Sequence, residues 1–374
     1  MSAVQIVPVK NRKEMNAFIN LPWRIYHGDP NFVPPLKSDV RKLLDPAVHP
    51  FWKFSERELF LARRDGETVG RVAAIVDGNY NHYYKEKVGS WGFFECEDSV
   101  ETAAALLETA ETWVRRQGMN YFRGPLNPSI NHEIGLLIEG FDQPPTYGFT
   151  HNPPYYADLI SACGLAKDKD VLAYRFTRES KFSELFFSMG ERMSKKKSLS
   201  IRHAEKLRLK DEINLIMKLY NECWSENWGA VPMTEEEALF LAVELKPVVD
   251  TDLIFFIYYR NEPIGVCLAL PDFNRLLMKL DGRLRPLILI RHFLIKSYFT
   301  GLRGYIMGIR KPFRQTGAPL LAFYHLMKIL EKKKQYRYME TGWQLEDNRP
   351  INHLIEEAGG KISRRFRVYG KPLA

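Results

Sequence analysis

One short stretch of the chain has residue types that suit the binding of a phosphorylated ligand. It is RKPFRQTGAP, from Arg310 to Pro319, between an apolar segment, GYIMGI, and a helix-like one, LLAFYHLMKILEKK. A turn from a strand into a helix presents the N–H groups of the first helical turn and the positive end of the helix dipole. Gly317 permits close approach of the backbone, and the basic side chains add positive charge. The stretch predicts a phosphate-binding loop, with an ordinary basic surface turn as the alternative.

The elements that must position this loop occur twice in the chain. DGETVGRVAAIVDGN (65–79) aligns with RNEPIGVCLALPDFN (260–274), and NPPYYADLISACG (152–164) aligns with NRPINHLIEEAGG (348–360). The first pair predicts two β-hairpins, and the second predicts two Asn-capped helices that each end at glycine. Between these blocks each half has a strand, a helix and a strand, which is typical of a parallel crossover unit. The repetition indicates an internal duplication.

The order of elements predicts the fold class and the domains. Each half reads as strand, helix, hairpin, strand, helix, strand, helix, strand, so the class is α/β, with one mixed parallel and antiparallel sheet per half and helices on the sheets. The 374 residues also exceed what one hydrophobic core usually serves. We expect a first domain over 1–178, a linker over 179–198 and a second domain over 199–374.

Composition excludes several classes of protein. The chain is 45% hydrophobic and 26% charged, which is typical of a globular protein. Its four cysteines are far apart and no histidine cluster accompanies them, so we predict neither a metal site nor a disulfide framework. No secretory leader and no run of about 18 apolar residues are visible, which predicts a cytoplasmic protein.

The net charge of +9 lies in the second half of the chain, because the first half is almost neutral. Residues 273–314 contain a single acid, Asp281, and ten bases. These bases are Arg275, Lys279, Arg283, Arg285, Arg291, Lys296, Arg303, Arg310, Lys311 and Arg314. Such a patch attracts phosphate, nucleic acid or lipid headgroups, and a solvated face is the alternative. Within it, 283–303 could lie in a membrane interface, cover an acyl chain or pack as a basic amphipathic helix.

The order of elements and the loop together resemble the GCN5-related N-acetyltransferase (GNAT) superfamily. Its acyl-CoA signature, R/Q-x-x-G-x-G/A between the fourth strand and the third helix, is similar to RQTGAP at 314–319. The resemblance implies acyl-CoA as co-substrate, bound by this loop and by an asparagine at the start of the next helix. The residues that it assigns to acyl-CoA are Ile309, Arg310, Arg314, Gln315, Thr316, Gly317, Ala318 and Asn348.

Two positions depart from the pattern of the superfamily. Pro319 stands where glycine or alanine is usual, which suits the first turn of a helix but removes one N–H donor. Ile355 stands where many members carry a tyrosine that acts as general acid for the leaving thiolate. The usual acid is therefore missing or is supplied by another residue.

The corresponding turn of the first half, FFECEDSVETAAALL, has a different character. Its acids favour the start of a helix and repel a pyrophosphate, so we expect that the first half has lost CoA binding. Its insertion, 125–148, and its HNPPYY turn could shape an acceptor pocket, or satisfy their own backbone as structural loops. The polar candidates for that pocket are Asn127, Asn131, His132, Glu133, Asn152, Tyr155 and Tyr156.

Amide-forming acyl transfer, which the resemblance implies, needs a base for the amine and a polarised thioester carbonyl. Backbone N–H groups of GYIMGI could polarise the carbonyl. The candidate bases are Glu340, Glu346 and His353 in the second half and His132 and Glu133 in the first. We interpret Trp343 as part of a cleft wall that contacts substrate.

Over almost its full length the chain resembles the bacterial YghO-like acyltransferases. The resemblance rests on LPWRIYHGDPNFVPPL, GPLNPSINHEIGLLIEGFDQPP, HNPPYYADL and WQLEDNRPINHL. It implies N-acylation of an amine, with the long-chain base of bacterial ceramide synthesis as a candidate. A lipid-like acceptor would favour placement of 283–303 in a membrane interface, at the inner membrane face, or over an acyl chain. Two alternatives stay open. One is a peptidoglycan-type tandem aminoacyltransferase that uses aminoacyl-tRNA, and the other is an inactive GNAT-fold binding module at a membrane surface.

Overall fold

The structure is a computed structural model that describes residues 2–180, 184–288, 290 and 299–373. The chain divides into two compact units. Unit 1 consists of Met1–Val171, Leu276–Arg291 and Arg364–Ala374, and unit 2 of Leu172–Arg275 and His292–Ser363. The end of the first half, from Leu172 onward, is therefore assigned to unit 2, and the end of the second half, from Arg364 onward, is assigned to unit 1. The domain limits expected from the sequence stay a prediction.

Unit 1 is built on a mixed sheet. The strands of unit 1 are β1 (Gln5–Pro8), β2 (Ser55–Arg64), β3 (Glu67–Asp77), β4 (Val88–Cys96), β5 (Tyr121–Gly124), β6 (Leu126–Asn127), β7 (Glu133–Ile134), β8 (Leu136–Glu139) and the first part of β9 (Ala166–Thr177). Strands β6 and β7 form a separate two-stranded sheet. Its helices are α1 (Arg12–Ile25), α2 (Lys37–Leu44), α3 (Gly78–Tyr84), α4 (Val100–Arg116) and α5 (Tyr156–Ala162). Strands β1 to β4 pair antiparallel, and β4 pairs parallel with β5.

Unit 2 repeats this arrangement. After α6 (Glu184–Ser194), its elements are β10 (Leu199–His203), α7 (Leu209–Trp224), α8 (Glu235–Leu245), β11 (Ile254–Tyr259), β12 (Glu262–Pro271), α9 (Asn274–Leu280), β13 (Gly301–Ile309), α10 (Ala318–Lys332), β14 (Tyr338–Leu345), α11 (Arg349–Glu357) and β15 (Lys361–Pro372). Strands β10 to β13 pair antiparallel, and β13 pairs parallel with β14. Helix α9 and strand β15 each begin in unit 2 and end in unit 1.

The mixed parallel and antiparallel strand pairing confirms the predicted α/β class, and both units repeat the same order of paired strands. Both predicted hairpins form, as β2–β3 and β11–β12. At the first turn Asp65 and Gly66 both have positive φ, as a type I′ turn requires. At the second turn Arg260 has positive φ. The side chains of β3 alternate between two cores, since Val72 and Ala74 pack on the α4 side while Ala73 and Ile75 pack on the α1 side.

The predicted Asn-capped helices are wrong in their caps. Asn348 occupies the N-cap position of α11, but its side chain makes no capping hydrogen bond. Helix α5 begins only at Tyr156, because the buried amide of Asn152 bonds to the backbone of Leu137 instead. Glycine does end both helices, with Gly164 and Gly359 in left-handed conformation.

The segment predicted as a linker, 179–198, contains helix α6. Phe186 of this helix belongs to the core of unit 2, in which it contacts Phe323 of α10 edge to face. The amphipathic segment predicted over 283–303 falls partly outside the described residues, at 289 and 291–298. In the parts of the chain that the structure describes, no helix is long and apolar enough to cross a membrane.

Candidate functional site

The two parallel strands of unit 2 separate after a short stretch of pairing. Pairing of β13 with β14 runs from Gly301 and Tyr338 to Gly304 and Thr341, although both strands continue for several residues. On its other side β13 has a bulge, since its pairing with β12 skips Tyr305. Separated parallel strands leave backbone N–H and C=O groups facing a gap, where a ligand can bond to them. We call the space between the diverging ends of β13 and β14 the strand gap.

The predicted strand-to-helix turn follows β13 directly. A short 3₁₀ helix spans Lys311–Phe313, and α10 starts at Ala318 after Gly317, which has a φ of +90°. The first hydrogen bond of α10 runs from the Leu321 N–H to the Gly317 carbonyl at 3.0 Å. The N–H groups of Ala318 and Leu320 lie ahead of that bond in the first turn, whereas Pro319 has none. The turn thus has the free helix start that anion binding needs.

Two features favour glycine at position 317. Its left-handed φ is costly for any residue with a Cβ atom. A Cβ atom at this position would also lie 2.3 Å from the Sδ atom of Met193 in α6, within unit 2. Close packing of α6 against the loop therefore adds a steric constraint to the conformational one.

The basic side chains of the loop make contacts within unit 2. Arg314 braces the turn, because its guanidinium donates to the carbonyls of Ile309 at 3.0 Å and Cys223 at 2.9 Å. Arg310 forms ion pairs with Glu222 and Glu262, and Lys311 forms one with Glu226. Of the other loop residues, Thr316 donates from its hydroxyl to the Phe313 carbonyl at 2.7 Å, and Gln315 is exposed. The loop is therefore ordered by its own side chains.

A buried charged pair lies where the strand gap begins. Arg303 and Glu340 are register partners on β13 and β14, and their exposed fractions are 1% and 0%. Their neighbours Leu302 and Met339 belong to the core that contains α10, so the charged side chains point to the opposite face of the sheet. Burial lowers the pKa of Arg303 to about 10, against the opposing effects of Tyr305, Glu340 and Asp272. Arg303 therefore remains charged at neutral pH.

Further polar side chains surround this pair within unit 2. Arg175 of β9 lies 3.6 Å from Glu340 and stacks over the ring of Tyr338 at 4.0 Å. The Tyr338 hydroxyl donates to the carboxylate of Asp272 at 2.6 Å. Burial, together with Asp272, raises the pKa of Tyr338. The guanidinium of Arg303 lies 5.3 Å from the ring of Trp343. Two acids and two guanidinium groups thus share one buried region.

Sequence reasoning identified only part of this region. Glu340 and Trp343 were candidates, whereas Arg303 counted only toward the basic patch and Asp272, Tyr338 and Arg175 were missed. A charged residue inside an apolar strand, as in GLRGYIMGI, was the signal that could have found Arg303. The other candidates of unit 2 lie farther along the chain, since Glu346 follows the end of β14 and Asn348 precedes α11.

In unit 1 the corresponding gap is filled by the chain itself. Pairing of β4 with β5 ends at Ser90 and Arg123. The side-chain oxygen of Asn127, in β6, then accepts the backbone N–H of Phe93 at 2.6 Å. A Cβ atom at Gly92 would lie only 1.8 Å from the carbonyl oxygen of Leu126. The β6–β7 hairpin therefore occupies the space that stays between strands in unit 2.

The candidates in the first insertion form two small groups within unit 1. Asn127 donates to Glu133 at 3.1 Å, and burial raises the pKa of Glu133. The Nδ1 atom of His132 lies 2.8 Å from the Ser129 hydroxyl, which also accepts the Asn131 N–H at 3.3 Å. Burial, assisted by His49, lowers the pKa of His132 to about 3. His132 is consequently a neutral imidazole at physiological pH.

The remaining candidates of unit 1 support the backbone. Asn152 bonds to both the N–H and the carbonyl of Leu137, at 2.7 and 3.1 Å. The Tyr155 hydroxyl donates to the carbonyl of Cys96 at 2.8 Å. The Tyr156 hydroxyl accepts the N–H of Cys96 at 2.8 Å and donates to Glu95 at the same distance. The structure thus brings the two tyrosines together at the end of β4.

The acids predicted at the start of α4 are held by ion pairs. Glu97 and Glu101 both pair with Arg64, and Glu95 pairs with Arg71 at 3.3 Å. Among the described residues, no group of three or more His, Cys, Asp or Glu side chains is placed to hold a metal ion.

Comparison with known proteins gives two full-length relatives. The chain is 32% identical over 380 residues to bacterial ceramide synthase from Caulobacter vibrioides, covering 99% of this chain and 98% of that one. It is 30% identical over 374 residues to protein YghO from Escherichia coli, covering 97% and 94%. No family model matches the sequence.

Solved structures share the fold at low sequence identity. A tandem GNAT protein from the clavulanic acid biosynthesis pathway superposes with a TM-score of 0.56 at 10% identity, covering 99% of this chain and 98% of that one. A GCN5-related N-acetyltransferase from Sphaerobacter thermophilus gives 0.54 at 12% identity, covering 99% and 95%. At these identities the similarity shows the fold alone, and it confirms two tandem GNAT-like domains.

Proposed function

Since the chain belongs to the family that includes bacterial ceramide synthase and protein YghO, we propose that it transfers an acyl group from acyl-CoA to the amine of a long-chain base. The observation that carries this proposal is full-length similarity to a protein named for that amide product. Ceramide is an N-acylated long-chain base, so the named reaction is an amide-forming acyl transfer. The fold supports the same chemistry, because its solved neighbours are N-acetyltransferases.

The loop and the strand gap of unit 2 support acyl-CoA as the donor. The first turn of α10 offers N–H groups to a pyrophosphate. One contact with a helix terminus contributes about 0.3–1 kcal/mol, whereas micromolar binding needs about 8 kcal/mol. The loop alone is therefore insufficient. The diverging ends of β13 and β14 offer backbone partners for the amide groups of the pantetheine arm.

Glu340 is the base that we propose for the amine. The amine nitrogen attacks the thioester carbonyl carbon, a C–N bond forms, and the C–S bond breaks. One amine proton must leave, and the departing thiolate must gain one. Glu340 can take that proton and return it to the thiolate, which would make a separate acid unnecessary. This role agrees with Ile355, which is buried in the core of unit 2 at the position of the usual tyrosine.

We propose that Arg303 stabilises the negative charge that develops on the thioester oxygen. It is charged, buried and one residue from the end of the pairing between β13 and β14. A fixed positive charge that is buried stabilises an oxyanion more than the same charge in solvent does. Glu346 and His132 stay predictions as alternative bases, and Trp343 as a contact of the substrate.

The aminoacyl-tRNA alternative finds less support in the charges of unit 2. Three basic residues of the predicted patch do not present an exposed charge that phosphate could bind without competition. Arg303 is buried, and Arg310 and Lys311 form ion pairs with acids of unit 2. Binding of tRNA depends on many contacts between basic side chains and phosphates. The inactive binding module differs from both enzymes in one measurement, because it would release no thiol from any acyl-CoA donor.

Thiol release from acetyl-CoA and palmitoyl-CoA, with and without a long-chain base, tests the proposal. We expect release that depends on the base and that Glu340→Gln reduces by about 10²–10⁴-fold. Lys328→Gln, which removes the exposed ion pair with Glu331 outside the loop, is the control and should retain activity. Absence of release with every CoA donor, together with release of tRNA from an aminoacyl-tRNA, would favour the alternative.

A further inference from the structure

A turn after α9 is held firmly against the first two helices of unit 1. The indole N–H of Trp23 donates to the carboxylate of Asp281 at 2.8 Å. The N–H of Lys37, at the start of α2, donates to the carbonyl of Gly282 at 3.1 Å. A Cβ atom at Gly282 would lie 2.3 Å from the ring of Trp23, so the turn packs tightly on that side chain. Arg283, the next residue, therefore starts from a well-packed turn on unit 1.

Three large aliphatic side chains project from this turn into solvent. Leu284, Leu287 and Ile290 have exposed fractions of 61%, 83% and 56%. They are spaced by three residues along the chain, and Leu287 lies in a helical turn over 286–288. Exposure of three such side chains within seven residues costs hydration free energy that a folded chain usually avoids. Their grouping indicates a surface that meets something apolar.

Basic side chains accompany the aliphatic ones. Arg283 and Arg285 flank Leu284 and are exposed. The nearest acid in sequence, Asp281, already accepts a hydrogen bond from Trp23. The Lys37 ammonium lies 4.1 Å from the ring of Trp23 and adds a further positive charge beside the turn. The segment thus combines apolar side chains with positive charge.

We propose that this segment docks on the surface of an anionic lipid bilayer. The docking face consists of Arg283, Leu284, Arg285, Leu287 and Ile290. The aliphatic side chains enter the boundary between headgroups and acyl chains, and the arginines bind lipid phosphates. Docking of this face does not depend on the identity of the acyl donor or the acceptor.

A bilayer fits this face better than a protein partner does. A stable protein interface buries about 800 Å² on each side and about 20–30 residues. Three aliphatic side chains on one turn fall well short of that size. Membrane contact needs no complementary shape, because lipids adapt to what is inserted, and it gains from basic residues next to the apolar ones. The mixture of leucine, isoleucine and arginine on one short segment meets both conditions.

Vesicle flotation of the full chain tests the proposal without acyl donor or amine. We expect binding to vesicles that contain phosphatidylglycerol and weaker binding to pure phosphatidylcholine. The combined change Leu284→Ser, Leu287→Ser and Ile290→Ser should lower the vesicle affinity by about tenfold or more. Arg283→Gln with Arg285→Gln should lower affinity for anionic vesicles by about tenfold and leave binding to phosphatidylcholine almost unchanged.

Val243→Ser is the matched control, because Val243 is 72% exposed on α8, in unit 2, and follows an acidic first turn. It should bind vesicles like the unchanged chain. Two results would overturn the proposal. One is no binding of the unchanged chain to anionic vesicles. The other is equal vesicle binding by the unchanged chain and the triple variant; if light scattering then shows that only the unchanged chain self-associates, the face would belong to a contact with a second copy. Vesicle binding with no thiol release would leave this proposal standing and count only against the proposed enzyme activity.

Discussion

Arg303 and Glu340 lie opposite each other on β13 and β14, one residue before the pairing of these parallel strands ends. Both side chains are almost completely buried. Taking two charges out of water costs several kcal/mol per ion, and the attraction between them only partly offsets this cost. A chain that kept this pair for stability alone would gain little over an apolar pair. The position of the pair beside the strand gap gives it a second use, in the chemistry of the site.

Replacing Arg303 or Glu340 should destabilise unit 2, and the effects of the two replacements should not add. We expect Arg303→Met to lower the free energy of unfolding by about 1–3 kcal/mol, since it removes a buried positive charge beside Glu340 and leaves Arg175, 3.6 Å away, as the remaining cation. Adding Glu340→Gln to that variant should recover part of the loss. Urea unfolding of the two single variants and the double variant measures the coupling. Additive effects would mean that the two groups do not interact in the folded chain.

Replacement of Gly317 by alanine should lower the free energy of unfolding more than the same replacement of a comparable glycine does. Gly118 also has a left-handed φ, but a Cβ atom there would meet nothing within 4 Å. Gly118→Ala should therefore lower the free energy of unfolding by only about 1 kcal/mol, through backbone strain. Gly317→Ala should lose more, because its Cβ collides with Met193, and should also weaken binding of acyl-CoA. Calorimetric titration and urea unfolding of both variants test this. Partial recovery by Met193→Ala would support the collision, and equal losses in the two variants would argue against it.

Each chain should bind one molecule of acyl-CoA. In unit 1 Asn127 and Leu126 fill the position that corresponds to the strand gap, and acids occupy the start of α4. Calorimetric titration with palmitoyl-CoA should give a stoichiometry near one, and Arg314→Glu should abolish that binding, because the loop loses its bonds to Ile309 and Cys223. A second site that survives Arg314→Glu would show that unit 1 also binds the donor.

Stability should fall in mild acid because of a buried imidazole in unit 1. Burial lowers the pKa of His49 from 6.5 to about 4. The unfolded chain therefore binds a proton more readily, so the contribution of His49 is complete above pH 6.5 and is lost as the pH falls toward 4. Between about pH 7.5 and pH 5 the loss from this residue is about 2 kcal/mol.

His49→Asn separates this effect from other titrations. The Nδ1 atom of His49 accepts the N–H of Phe51, and the asparagine oxygen can replace it in that bond. Urea unfolding of both chains at the two pH values gives the difference. We expect a smaller loss in the variant. The same pH dependence in both chains would mean that His49 titrates normally.

Sequence patterns predicted the fold well because the features involved are local. The hairpin turn at Asp65 and Gly66 and the helix-ending glycines depend on the conformation of a few neighbouring residues. The repeat of these signals then gave the tandem order of elements. The asparagine cap at Asn152 was wrong because its amide bonds to Leu137, which lies in a different element.

The candidate site was only partly predictable, because it depends on which strands meet. Nothing next to Arg303 in sequence indicates that it faces Glu340, 37 positions later, across a parallel pair. The same limit applies to Arg175, which reaches Glu340 from β9. The loop was recognisable because its glycine and its helix start are adjacent in sequence. The use of Arg314 as a brace was not, because its acceptor Cys223 belongs to α7.

The most direct test of the proposed chemistry is detection of the amide itself. Palmitoyl-CoA and a long-chain base are incubated with the purified chain, and the N-acylated product is quantified by mass spectrometry against Glu340→Gln. We predict that the unchanged chain forms the amide with release of one thiol per product and that the variant forms it about 10²–10⁴-fold more slowly while still binding the donor. Absence of the amide with the unchanged chain, or equal rates in the two chains, would contradict the account.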